Sequence, residues 1–168
     1  MEGSRKRALV RSVLLEIFHV AAATELSASR CREMGDYFNC DIRPLALVVE
    51  DDPLIRMDLT DMLEGMGFDP AEAQDVSSAL AYLQGNGERV SFLLTDVQMP
   101  GSRNGTTLAN HVNHVWPHIR ILVTSGVIQP SADELPDTAQ FIRKPVTEHA
   151  LQAYVARFPA DMLPQQAG

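Results

Sequence analysis

Short continuous apolar runs alternate along this chain with longer stretches whose apolar residues recur every three or four positions. LALVVE (45–50) is the first run, of the kind a strand buried on both faces shows. Pro53 then marks a helix start. Leu54, Ile55, Met57, Leu59, Met62, Leu63 and Met66 carry a helical period that Gly65 and Gly67 close. Residues 68–74 read as a weaker second strand. Val76 to Gln84 reads as a helix, with Ser77 and Ser78 near its start and Gly85-Asn86-Gly87 after it. VSFLLT (90–95) repeats the first pattern and ends at Asp96. Asn104 to Val115 is helical until Trp116-Pro117 stops it. IRILVT (119–124) is a fourth strand leading into Ser125-Gly126. A short helix is expected within 130–136, flanked by Pro130 and Pro136. AQFIR (139–143) is a fifth strand ending in Lys144-Pro145, and Thr147 caps a last helix that runs to about Phe158.

Strands joined by helical crossovers give an α/β protein with a parallel sheet covered by helices on both faces. Ligands of such sheets bind beyond the carboxyl ends of the strands. Strand one ends in Glu50-Asp51-Asp52, strand three in Asp96, strand four in Thr124-Ser125 and strand five in Lys144, so the polar groups converge on one edge.

Residues 1–43 stand apart as an N-terminal extension, 44–158 form the domain, and 159–168 are a C-terminal tail. Arg5-Lys6-Arg7 before an apolar stretch has the outline of a secretory signal. Arg11, Glu16 and His19 interrupt it, however, and Val10, Val13, Leu14, Ile17 and Ala21 follow one helical face. An amphipathic helix for docking or homodimerisation, or a loosely ordered extension, is the better reading. Residues 24–43 lack a steady period and form a linker.

The chain has 168 residues and a net charge of −8, unevenly spread. Residues 1–43 hold seven Lys and Arg against six Asp and Glu; the remainder holds seven against sixteen. An acidic body lacks the clustered cations that bind nucleic acid, and suits a metal cation or a basic partner instead. Cys31 and Cys40 fit no zinc or redox spacing, which points to a reducing cytoplasmic setting. No apolar run approaches the roughly 20 residues that cross a membrane.

The chemistry of the acidic edge follows from crowding. Several carboxylates in a dry pocket cannot all stay ionised without a cation. Hard oxygen ligands with room for water suit magnesium, which takes one or two carboxylates plus phosphate oxygens. Asp96 is positioned both as a ligand and as a nucleophile able to form an aspartyl phosphate. Lys144 would pair with a phosphoryl oxygen, and the Ser125 hydroxyl could bond another.

VVEDD (48–52), LLTDVQMPG (93–101), LVTSG (122–126) and FIRKP (141–145), in this order and spacing, resemble the receiver domains of bacterial two-component response regulators. The resemblance covers residues 45 to about 158. It implies a flavodoxin-like, doubly wound five-stranded sheet, and a phosphoacceptor rather than an enzyme, limited to self-phosphorylation from small donors and autodephosphorylation. It further implies that Glu50 and Asp51 hold Mg2+, that Gln98 lends its backbone carbonyl, and that Asp96 takes phosphate from a sensor histidine kinase or phosphotransfer protein. The switch hydroxyl is Thr124 or Ser125, with Ser125 the better fit by distance from the strand start. Phe141 takes the switch-aromatic place, and Lys144-Pro145 a cis peptide. The short segment after Ser125 departs from the family, which signals partly through a fourth helix there. With about ten residues after the last helix, the resemblance points to a stand-alone receiver acting on a downstream protein.

Two other functions compete. A phosphohydrolase with an aspartyl-phosphate intermediate needs a second acid two residues past the nucleophile, where Gln98 stands. A pseudo-receiver scaffold would lack site groups that are all present here. Asp52 is either a solvated neighbour or a secondary metal ligand, and Phe141 either a switch or core filling. His111, His114 and His118 place no metal pair on one helix face.

Overall fold

A computed structural model describes residues 43–99, 104–127, 130–131, 133–159 and 162–163. The extension over 1–42, with its expected amphipathic helix and dimer role, lies outside the described residues. The strands are β1 (Leu45–Val49), β2 (Asp69–Ala73), β3 (Val90–Asp96), β4 (Arg120–Ser125) and β5 (Ala139–Arg143). The helices are α1 (Pro53–Gly65), α2 (Val76–Asn86), α3 (Gly105–Val115) and α4 (Glu148–Val155), with one 3-10 turn at Gly87–Arg89. All strand pairs are parallel, in the order β2-β1-β3-β4-β5. This is the doubly wound five-stranded sheet of the flavodoxin type, whose order reverses between β1 and β3.

Each helix begins where a short polar side chain can take its first unpaired N–H groups. Asp52 accepts from Leu54 N and Ile55 N at 2.8 and 3.2 Å, with Pro53 next. Asp75 and Ser78 form a reciprocal capping box on α2. Asn104 caps α3 through Thr107 N, and Thr147 caps α4 through Ala150 N. Gly67, with φ 89°, turns the chain from α1 toward β2, in a left-handed conformation that suits glycine.

The sheet separates two cores. Leu47, Val49, Leu93, Ile121 and Val123 face α2 and α3, joined there by Leu83, Leu108 and Val112. Ala46, Val48, Phe92, Leu94 and Leu122 face α1 and α4 with Leu59, Leu63, Leu151 and Tyr154. Phe92 centres an aromatic group on that second face, 5.3 Å from Phe158, 5.7 Å from Tyr154 and 5.9 Å from Phe68. Their tilted and edge-on geometry is the favoured one. Met162 and Leu163 of the tail also pack against this core.

The helix expected within 130–136 is a correction. Among the described residues this stretch is a turn: Glu134 N donates to Ser131 O at 3.0 Å, while its carboxylate accepts from Ser131 N and Oγ at 2.8 Å. Pro136 biases Leu135 away from helical angles, and side-chain bonds replace the helical ladder. Leu135 packs on the α2–α3 core, and Asn110 Nδ2 donates to Glu134 O at 2.7 Å, so α3 holds the connection down.

Candidate functional site

Side-chain alternation decides which residues meet at the carboxyl edge. Along β1, β3, β4 and β5, the residues Val48, Leu94, Leu122 and Ile142 all point to the α1–α4 core. Two residues on in each strand come Glu50, Asp96, Thr124 and Lys144, which continue that parity. Glu50, Asp96 and Thr124 are buried although polar.

Lys144 lies between the two buried acids. Its Nζ is 2.6 Å from Glu50 Oε2 and 2.9 Å from Asp96 Oδ2. Burial pulls the ammonium's pKa down, but the bonds from Glu50 and Asp96 outweigh it and leave it raised. Burial is also the largest influence on Glu50 and pushes its carboxyl up, with Lys144 opposing. Exposed Asp51 joins them: Glu50, Asp51 and Asp96 offer carboxylate oxygens within 4.8 Å of one another. One ammonium among three carboxylates leaves negative charge in excess, which a divalent cation would balance.

Asp96 Oδ1 is buried and has no hydrogen-bond partner, the one such side-chain atom among the described residues. A buried acceptor left unpaired is costly, and at strand ends beside other carboxylates it marks a place for an external ligand. The donor set is all oxygen, with exposed Asp51 leaving access to water, and therefore fits Mg2+.

The sequence candidates are distributed unevenly around this centre. Glu50, Asp51, Asp96 and Lys144 come together. Thr124 pairs in register with Asp96 and donates from Oγ1 to Thr95 O at 3.4 Å. Ser125 has the opposite parity, the side of Val123 and Phe141, and its Oγ accepts from Val127 N at 3.4 Å. Phe141 is partly buried against the α2–α3 core. Gln98 is exposed two residues past Asp96. Asp52 spends its Oδ1 on the α1 cap, which accounts for its place without a metal role. The Lys144–Pro145 peptide is cis.

Two site residues escaped the sequence reading. Gly105 begins α3 directly against Asp96: a Cβ there would lie 1.9 Å from the Asp96 carbonyl oxygen. Asn104-Gly105 at the helix start was the available signal. Arg56, one turn into α1, reaches back so that Nη1 donates to Glu50 O at 2.6 Å.

Residues 46–156 match the family described as response regulator receiver domain, and the chain belongs to that family. PhyR, the phyllosphere-induced regulator of Methylorubrum extorquens, is 24% identical over 125 residues, which are 74% of this chain and 47% of PhyR. CqsS of Vibrio cholerae, a CAI-1 autoinducer sensor kinase/phosphatase, is 30% identical over 115 residues, 66% of this chain and 16% of CqsS. This chain thus spans less than half the length of either relative. A response regulator receiver protein from Pseudomonas putida superposes with a TM-score of 0.59 at 28% identity, covering 69% of this chain and 98% of that one. Among the described residues no helix is long and apolar enough to cross a membrane.

Proposed function

We propose that this receiver domain is a Mg2+-dependent phosphoacceptor, with Asp96 taking a phosphoryl group from a histidine kinase or phosphotransfer protein and passing the signal to a downstream protein. The observation that carries the reading is Asp96 Oδ1, buried and unpartnered while Oδ2 is held by Lys144. That arrangement engages one carboxylate oxygen and leaves the other without a protein donor, so Oδ1 is the oxygen assigned to attack. Oδ1 forms a bond to phosphorus as the donor's phosphorus–nitrogen bond breaks, and the electron pair leaves on the imidazole nitrogen. Lys144, already on Asp96 and Glu50, is the cation within reach of the phosphoryl oxygens. Glu50, Asp51, Asp96 and the Gln98 carbonyl would hold Mg2+, which supplies charge neutralisation for those oxygens.

Parity favours Thr124 over Ser125 as the hydroxyl that follows the phosphoryl group, because Thr124 shares the face and register of Asp96. Phe141, on the opposite face and paired in register with Val123, would report the change to the surface of β5 and α4. A phosphohydrolase is disfavoured because Gln98 carries no carboxyl to act as a general acid. The protein's own chemistry is then limited to accepting from small phosphodonors and releasing phosphate.

The test is intact-protein mass after incubation with acetyl phosphate. The expected result is one added phosphoryl group with Mg2+, none with a chelator, and none in Asp96→Asn. A mass unchanged in every condition would dispose of the phosphoacceptor role.

A further inference from the structure

We propose that Arg56 is a positioning residue for the metal ligands, its guanidinium fixing the main chain of Glu50 and Asp51 so that their carboxylates converge with Asp96. The inference rests on the reading of the site as a metal centre. The β1–β2 ladder runs to Val49 opposite Ala73, and Glu50 N donates one step further to Ala73 O at 3.1 Å. Beyond that point β2 has ended, and the carbonyls of the β1–α1 loop have left the sheet.

Arg56 takes over there. Nη1 donates to Glu50 O at 2.6 Å and lies 3.5 Å from Asp51 O, while Nε donates to Glu72 Oε2 on β2 at 3.0 Å. The guanidinium therefore ties the loop to the neighbouring strand. The Asp52 cap ties the loop's other end to α1. Asp51 stands between these ties and is exposed, so its aim depends on the main chain beneath it. Glu72 is half-exposed and Arg56 largely covered, which makes Glu72 the outer brace and Arg56 the contact.

Two physical effects of Arg56 on a bound dication oppose each other. As a nearby cation it repels, so its removal would tighten binding. As a brace it holds the ligands in place, so its removal would loosen binding. The sign of the change separates the two.

The experiment is a Mn2+ titration of the full chain followed by electron paramagnetic resonance at fixed ionic strength, without phosphodonor. It compares wild type with Arg56→Met, Arg56→Lys and Glu72→Gln, and circular dichroism checks each fold. Arg56→Met should weaken binding roughly tenfold, as loss of a partner behind a metal ligand does. Arg56→Lys, which keeps the charge but cannot bridge both strands, should fall between; Glu72→Gln should weaken binding by less than Arg56→Met. Equal or tighter binding by Arg56→Met overturns the proposal. If Arg56→Met does not fold, unchanged affinity in both remaining variants overturns it. A wild type that binds no Mn2+ removes the metal centre itself, and this inference with it.

Discussion

Replacing Gly105 by alanine sets two forces against each other with a calculable winner. Alanine is the better helix former by about 1 kcal/mol, so on propensity alone α3 should gain stability. Yet the new Cβ would stand 1.9 Å from the Asp96 carbonyl oxygen, 2.7 Å from its carbonyl carbon and 3.0 Å from Thr95 Oγ1. An ordinary C···O approach is about 3.3 Å, so helix and strand end must part by more than an ångström. The obstacle is backbone and cannot rotate away. Overpacking of this kind costs about 1–3 kcal/mol, which at least offsets the propensity gain and leaves a net loss of up to about 2 kcal/mol. The displaced group is Asp96, the proposed nucleophile, and an error of about 1 Å costs on the order of a hundredfold in rate. Thermal unfolding and the rate of phosphorylation by acetyl phosphate should therefore both fall. Gly85→Ala is the control: it sits in α2 with nothing within 4 Å of the added Cβ, and should gain up to about 1 kcal/mol. If Gly105→Ala behaves like Gly85→Ala in both assays, the close approach of α3 to Asp96 is wrong.

Three further outcomes follow from the same geometry. Asp51→Asn removes one of three neighbouring carboxylates and should raise the melting temperature in chelator by an amount worth under about 1 kcal/mol, while abolishing the additional rise expected of wild type with Mg2+. Thr124→Val should still gain a phosphoryl mass but lose the amide shifts across residues 139–150 that beryllofluoride induces in wild type, whereas Ser125→Ala should keep them; the reverse pattern would return the switch to Ser125. Asp75 has its pKa held below 3.8, chiefly by the Ser78 backbone N–H it caps, so its contribution is present above pH 3.8 and lost as pH falls through the depressed folded value. Urea melts of Asp75→Asn across that acid range should lack this component of the wild-type slope.

Much of this was visible before the fold. Continuous apolar runs located β1 and β3, because strands buried on both faces leave no alternation to misread. Their acidic ends located Glu50, Asp51 and Asp96. What periodicity reports is burial, and it is silent on what a polar end group touches. Asp52 stood open between a solvated neighbour and a secondary metal ligand, and its Oδ1 is found on the α1 cap. Ser125 looked the better hydroxyl by counting along the strand, but β4 runs 120–125 and alternation turns Ser125 to the other face. Gly105 and Arg56 act on main-chain atoms several residues away in sequence; Asn104-Gly105 marked a helix start, but hydrophobic periodicity does not show which main-chain atoms either residue meets. The segment around 130–136 holds helix-compatible residues, yet Ser131 with Glu134 and the tie to Asn110 close it as a turn.

On the proposed function, an Asp96 carboxylate oxygen bonds phosphorus and the neighbouring acids hold the metal that permits it. Borohydride reduces an aspartyl phosphate to homoserine, which marks the acceptor permanently and can be mapped by peptide mass spectrometry. After treatment with acetyl phosphate and Mg2+, homoserine should stand at position 96 and nowhere else, and it should vanish when Mg2+ is withheld. Homoserine at another aspartate, or at position 96 equally with and without the metal, would contradict the account.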